Sequence, residues 1–346
     1  MIVGVITTSY PRFAGDPAGN FVAGHVAALR ALGHDVDVIA AGDRTDDGVT
    51  RIASRLFYTG GAPDALERGG HALDAASFTA RLTMAVVRRA RRWDHAIAHW
   101  LAPSALAALP TRVPLTVIAH GGDVHTLARA RLLGPVLGLL RARRARLAFV
   151  TDELRRIAGA HDAMVQPMGV DTAHFAALDR APETPPLVVV LARLVPIKGV
   201  DVALAAMTRV RTRARMIVAG AGPERARLAA LAGPAELVGE VDAAGRDDLL
   251  RRASLVVVPS RVLANGRSEG MPLVALEALA AGVPVVASAV GGMRELGAPI
   301  ALVPPDDPGA LAHAIDTALA RPATASELRA AVAHLDWPRV AARLLA

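Results

Sequence analysis

One alternation constrains this chain more than anything else in it: short, apolar, β-branched runs are separated by longer stretches rich in Ala, Leu and Arg. A run of about five apolar residues suits a strand buried on both faces, and the longer stretches suit crossover helices, so the pattern calls for an α/β fold with parallel sheets wound on both sides. The alternation occurs twice. In the first half, strands are expected near Ile2 to Ile6, Asp35 to Ala40, His95 to His99, Leu115 to Ala119 and Leu147 to Thr151. In the second they are expected near Leu187 to Ala192, Arg215 to Ala219, Glu236 to Val238, Leu255 to Pro259, Pro284 to Ser288 and Ile300 to Val303.

Between the halves lies Asp179-Arg180-Ala181-Pro182-Glu183-Thr184-Pro185-Pro186, which cannot continue a helix and reads as a stiff linker. The expected division is an N-terminal domain over 1–178, a second domain over 179–330 and a closing helical segment over 331–346. Ligands of open α/β sheets bind beyond the carboxyl ends of the strands, so two such sheets facing one another would enclose the site in a cleft.

At 346 residues the chain can bury a core without disulfides or a structural metal, and with no cysteine it has no disulfide, thiolate zinc site, iron–sulfur cluster or cysteine nucleophile. No apolar run approaches the roughly 20 residues of a spanning helix. Met1 to Ile6 enters a strand directly, with no basic leader, which sets a cytoplasmic location as the expectation. The formal net charge is +7, yet aromatics are only 3% of residues and the Arg is widely spread. That argues against nucleic acid as partner and for an anionic substrate or lipid surface. Of the 39 basic residues only one is lysine, Lys198.

The richest segment is Ser268-Glu269-Gly270-Met271-Pro272-Leu273-Val274-Ala275-Leu276-Glu277-Ala278-Leu279-Ala280-Ala281-Gly282. Pro272 suits the first turn of a helix and Gly282 its stop, which predicts a helix from about Pro272 to Ala281. Its free N–H groups and positive end make a phosphate site that Gly270 allows a ligand to approach. Glu269 precedes that end and Glu277 lies about one and a half turns inside. Taken alone, the two read as a first-turn acid and a solvated helix residue. Two anions beside an anion site need balancing cations, and Leu191-Ala192-Arg193-Leu194-Val195-Pro196-Ile197-Lys198-Gly199 supplies them at a strand end. Arg193 can clamp phosphate oxygens in pairs, and Lys198 adds a point charge.

With those residues in hand, the chain resembles, over nearly its whole length, the retaining glycosyltransferases with two Rossmann-like domains (the GT-B fold) of the family 4 type, which use nucleotide-diphosphate sugars. Glu269 and Glu277, with seven residues between them, resemble the paired-glutamate motif, and Arg193 with Lys198 resembles the diphosphate-binding pair. Further matches are Val218-Ala219-Gly220-Ala221-Gly222-Pro223-Glu224, Met168-Gly169-Val170-Asp171 followed by Phe175, and Val290-Gly291-Gly292-Met293-Arg294-Glu295. The resemblance implies that Glu277 binds the ribose, that Glu269 holds the transferred sugar, and that N–H groups near Gly270, Met271, Pro272 and Leu273 meet sugar or phosphate. Gly239-Glu240-Val241 resembles the base-contacting segment. Ser9 to Asn20 resembles the loop facing the donor phosphates, with Ala18-Gly19 where a double Gly is common.

His120-Gly121-Gly122-Asp123 follows a strand. From the residues alone His120 is a turn residue and Asp123 a helix N-cap. The resemblance places His120 beside the donor sugar, puts His99-Trp100 on the acceptor side, and makes Trp337 part of a crossover helix that couples the domains. Asp35-Val36-Asp37 has the form of a metal-binding pair but sits on an alternating strand, so no metal or other cofactor is expected. Gly220-Ala221-Gly222 lacks the third Gly of a dinucleotide fold, and no Gly-x-Ser-x-Gly elbow appears. Two basic helical stretches, Arg81 to Trp93 and Leu127 to Leu147 (bent at Pro135), suit peripheral contact with an anionic inner membrane face. The resemblance implies metal-independent transfer from a nucleotide sugar to a glycan, lipid-linked or small-molecule acceptor. A nucleotide-sugar 2-epimerase and a non-catalytic nucleotide-sugar-binding protein stand as alternatives.

Overall fold

The computed structural model describes all residues except 14, 17, 44–47, 55, 58–70 and 298. Among the described residues the strands form two sheets, parallel throughout. The first sheet holds β1 (Ile2–Ile6), β2 (Asp35–Ala41), β3 (Thr50–Ile52), β4 (His95–His99), β5 (Leu115–Ala119), β6 (Arg146–Phe149) and β7 (Met164–Val165) in the order β3-β2-β1-β4-β5-β6-β7. The second holds β8 (Leu187–Leu191), β9 (Arg215–Ala219), β10 (Glu236–Gly239), β11 (Leu255–Val258), β12 (Val285–Ser288) and β13 (Ala301–Val303) in the order β10-β9-β8-β11-β12-β13. Both orders reverse direction beside the first strand, the switch point where doubly wound sheets open a crevice at the strands' carboxyl ends.

Helices on both faces explain why the strand sequences are continuously apolar rather than alternating. In β8, Leu187 and Val189 enter one core cluster while Val188 and Val190 enter another, and all four are fully buried. The edge strands β3 and β7 lie outside the sequence expectation because they are three and two residues long and are defined by ladder bonds to β2 and β6 rather than by an apolar run.

The chain divides into two compact units, 1–169 with 337–346, and 170–336. These limits differ from the expected 178/179 and 330/331. Val170 and Phe175 belong to the core of the second unit, and Val170 bridges to Asp336, whose carboxylate accepts from Thr172 Oγ1 at 2.6 Å. The Pro-rich segment is likewise not the connector. It is strapped to the second unit by Ala181 and Glu183 N–H groups donating to the Arg251 and Arg252 carbonyls, and by the Glu183 ion pairs with Arg215 and Arg252.

The basic stretch Leu127 to Leu147 is two helices, Gly122–Arg129 and Leu133–Ala142, rather than one bent helix. Leu133, Val136, Leu137 and Leu140 are buried within the unit, and only Leu132 and Leu139 of the expected interfacial residues are exposed. No described helix is long and apolar enough to cross a membrane.

The last helix, Trp337–Leu345, packs on the first unit, where Thr116 Oγ1 donates to the Leu344 carbonyl at 3.1 Å. Trp337 lies flat on the His25 ring, 5.7 Å between centroids, and fills the space left by Gly24 and Gly169. A Cβ on either glycine would come within 2.5 Å of the indole. Trp337→Ala is expected to destabilise this unit by about 3–5 kcal/mol, the cost of emptying a large aromatic site. Urea unfolding followed by hydrogen exchange of helix Asn20–Ala31 checks it, and a change confined to the second unit would contradict it.

Candidate active site

Every side chain singled out in the second unit stands at the carboxyl end of a strand or on the helix that follows. After β8, Arg193 is exposed and, among the described residues, makes no ion pair. A short turn, Pro196–Lys198, then ends on Gly199 with φ 58°, and a Cβ there would stand 2.0 Å from the Pro259 carbonyl oxygen. Only glycine permits this approach, which presses the loop against the end of β11. Lys198 is thereby brought to Glu269, donating from Nζ to Oε1. The other carboxylate oxygen accepts from Ser260 Oγ, a fully buried hydroxyl just beyond β11.

The Glu269 loop is held from behind. Gly291 has φ 52°, and a Cβ on it would meet the Glu269 carbonyl oxygen at 2.0 Å, while Gly292 N–H donates to the Gly270 carbonyl at 2.7 Å. The Val290 to Glu295 motif therefore acts as a backbone buttress for the Glu269–Gly270 turn. The following helix runs Leu273–Ala281. Pro272 stands one place ahead of it in extended conformation (φ −66°, ψ 111°) rather than in its first turn as expected. The N–H groups of Leu273 and Val274 have no intrahelical acceptor, and the positive helix end faces the turn that carries Gly270 and Met271.

Glu277 sits further along this helix, paired with Arg246, whose Nη1 donates to Oε1 at 3.0 Å. Arg246 also lies 4.8 Å over the Phe175 ring and bonds Asp247. Burial pushes the Glu277 carboxyl above its ordinary range, with Arg246 acting against that and Asp247 adding to it. Val241 follows β10, half-buried against the same core. Sequence reasoning missed Ser260 and Arg246. A serine closing an apolar strand was a usable signal for the first, whereas Arg246 is one arginine among many on the surface of a helix.

In the first unit, the loop after β1 turns on Asp16, which is fully buried. Burial raises its carboxyl, but bonds from the Arg12 guanidinium and from the Ala18 and Arg12 N–H groups outweigh this and hold it below its ordinary value. Gly19, at φ 75°, closes the loop against the Ser9 backbone at the start of helix Asn20–Ala31. Ala14 and Pro17 of the phosphate-facing stretch lie outside the described residues.

His120 follows β5 and Trp100 follows β4. Asp123, expected as an N-cap, instead lies inside the first turn of its helix, buried, and gathers both loops. Its Oδ1 accepts from the His120 and Gly121 N–H groups at 3.1 and 3.0 Å, and Oδ2 from Leu101 N–H at 2.8 Å. Burial raises its pKa, with those bonds acting against it. Trp100 has φ 77°, a strained backbone of the sort that concentrates at functional sites, and its ring stands 4.9 Å from His120. Phe21 packs against both rings, 5.0 Å from His120 and 5.8 Å from Trp100.

His99, expected on the acceptor side, is fully buried behind these rings. Its Nδ1 is 3.0 Å from His120 Nε2 and its Nε2 is 3.2 Å from His25 Nδ1. Burial pushes His25 down to about 4 and His120 to about 3, and lowers His99 well below the usual imidazole value, so all three are neutral near pH 7. The Asp35-Val36-Asp37 pattern is structural at Asp37, which accepts from Arg89 Nε and Trp93 Nε1 at 2.9 Å each.

Residues 185–321, within the second unit, match the family "Glycosyl transferases group 1". Over 91% of this chain and 88% of the relative, the sequence is 31% identical to a GDP-mannose-dependent alpha-(1-6)-phosphatidylinositol dimannoside mannosyltransferase of Mycobacterium tuberculosis. Among solved structures, a sucrose-phosphate synthase from Thermosynechococcus elongatus superposes with a TM-score of 0.76 at 22% identity, covering 99% of this chain and 96% of that one. Anabaena HepE, solved with UDP and glucose, superposes with a TM-score of 0.71 at 19% identity, covering 99% and 98%. The structural likenesses establish the shared fold; joined to the identity carried along nearly the whole chain, they mean that the protein belongs to the group 1 glycosyltransferases with the GT-B fold.

Proposed function

We propose that the chain transfers a hexose-type sugar from a nucleotide-diphosphate sugar to an acceptor hydroxyl, with retention at the anomeric carbon and without a metal, in the synthesis of a polysaccharide, glycolipid or other glycoconjugate. The observation that carries this is the cluster of Lys198, Ser260 and Glu269 ahead of the helix Leu273–Ala281, with Arg193, which makes no ion pair among the described residues, on the same strand-end loop as Lys198. Lys198 and Glu269 neutralise one another. A diphosphate that takes Lys198 leaves the Glu269 carboxylate, still oriented by Ser260, to accept from hydroxyls of the transferred sugar.

Arg193, Lys198 and the helix N-terminus would stabilise the negative charge that builds on the leaving diphosphate, each charged hydrogen bond contributing roughly 1.5–3 kcal/mol. The C1–O bond to the diphosphate breaks, the acceptor oxygen bonds to C1 on the same face through an oxocarbenium-like state, and the acceptor proton passes to the departing diphosphate oxygen. Glu277 would accept from the ribose hydroxyls, Val241 would border the base, Gly19 and His120 would contact the donor, and Trp100 would line the acceptor side. The mannosyltransferase relative makes GDP-mannose the first donor to test, and UDP-glucose the second. Peripheral membrane contact rests on exposed Leu132 and Leu139 beside Arg131, Arg141 and Arg144.

In the presence of a chelator, one of GDP, UDP or ADP or its sugar is expected to stabilise the protein against heat by about 2.7 kcal/mol at a hundred times its dissociation constant. Lys198→Ala is expected to lose most of that shift. No shift with any of them would remove the donor site. Glu277→Gln should weaken the nucleoside diphosphate roughly tenfold, about 1.4 kcal/mol, and leave pyrophosphate binding unchanged; equal weakening of both would exclude a ribose contact. NMR of the product made from an α-linked donor should show an α linkage, and a β linkage would end the retaining mechanism.

A further inference from the structure

Three imidazoles of the first unit are joined ring nitrogen to ring nitrogen: His120 Nε2 to His99 Nδ1 at 3.0 Å, and His99 Nε2 to His25 Nδ1 at 3.2 Å. Each bridge joins an Nε2 to an Nδ1. A neutral imidazole carries one ring proton, and each bridge needs one proton between its two nitrogens. A neutral chain of this polarity therefore has two arrangements that fill both bridges: every ring protonated at Nδ1, or every ring protonated at Nε2. Any mixture leaves at least one bridge with two protons or with none.

The two ends of the chain decide between them. His25 is fully buried, its ring is stacked under Trp337, and its Nε2 has no hydrogen-bond partner among the described residues. A proton there would be an orphaned donor inside the unit, which folded proteins seldom tolerate. The opposite end, His120 Nδ1, belongs to the one ring of the three that keeps exposed surface, flanked by Phe21 and Trp100. Asp123 fixes the backbone of His120 but not the state of its ring.

We propose that His99 and His25 are positioning residues for His120: they lock the three rings as Nδ1–H tautomers, so that His120 presents an N–H donor, and not a bare nitrogen, to a hydroxyl oxygen of the transferred sugar. The sugar contact rests on the function proposed above. The locked tautomers do not, because they follow from the bridges and the buried end alone.

Long-range proton–nitrogen NMR correlation on histidine-labelled protein reads the tautomer of each ring directly, in the wild type and without any ligand. The expected spectrum shows His25, His99 and His120 each with a protonated Nδ1 and a bare Nε2. Rings of mixed sense, or all three protonated at Nε2, would overturn the proposal. In His99→Phe, which severs both bridges while keeping a ring in the space, His120 should become a mixture of tautomers. In His25→Gln, whose amide can donate to His99 Nε2, it should stay Nδ1–H, and this variant serves where His99→Phe does not fold. An unchanged His120 tautomer in His99→Phe would overturn the positioning role. The preference for GDP-mannose (or UDP-glucose) over the corresponding nucleoside diphosphate should fall in His99→Phe in proportion to the share of His120 that remains Nδ1–H, about twofold for an even mixture. An unchanged preference, with the tautomers as expected, would overturn the sugar contact and leave the locked chain standing.

Discussion

A parallel strand cannot be followed at once by its neighbour, because the chain must return to the same end of the sheet before pairing again. That constraint produces both the layered core and the placement of the chemistry. The returns are helices that bury both faces of each sheet, as the two core clusters on either side of β8 show. They also leave the loops at the strands' carboxyl ends free to differ in sequence. Arg193, Lys198, Ser260, Glu269 and Val241 in one unit, and Gly19, Trp100 and His120 in the other, lie beyond those ends.

In the second unit the difficulty is electrostatic. An anion-binding helix end flanked by two glutamates would repel its ligand if the carboxylates were unscreened. Each one has its own partner: Lys198 and Ser260 for Glu269, Arg246 for Glu277. The partners differ in what they leave available. Lys198 sits on a loop whose approach depends on Gly199 and beside an arginine that makes no ion pair among the described residues, whereas Arg246 is fixed by Phe175 and Asp247. One pair is suited to exchange partners with a ligand and the other to hold its geometry.

In the first unit the difficulty is burial. Desolvation disfavours the charged form of all three imidazoles, and for His99 and His120 repulsion between the rings adds to it, so the cluster is neutral near pH 7 and its hydrogen bonds depend on tautomer. A ring that looks redundant in the chain, His25, then matters through its Nε2, which finds no partner among the described residues. The strained Trp100 backbone and the buried Asp123 serve the same region by fixing the two loops that carry the rings.

The sequence by itself determined the strands other than the edge strands β3 and β7 and their grouping into two sheets, and it singled out Lys198 and Glu269, which the structure joins in an ion pair. Apolar runs, a Pro–Gly bounded helix and a single lysine are local signals that survive without coordinates. The short edge strands were not legible, since ladder bonds define them rather than hydrophobicity. Neither were the unit limits, because the Pro-rich segment reads as the linker and Phe175 lies ahead of it, and only their packing shows that both belong to the second unit. Only the tertiary structure decided that His99 faces inward, that Asp123 gathers two loops instead of capping a helix, and that Ser260 and Arg246 join the site. For Ser260 the deciding partner, Glu269, is only nine residues on; for His99, Asp123 and Arg246 it lies tens of residues away along the chain, beyond the reach of any spacing rule, and is brought near by the pairing of β4 with β5 or by the packing of helices on the second sheet.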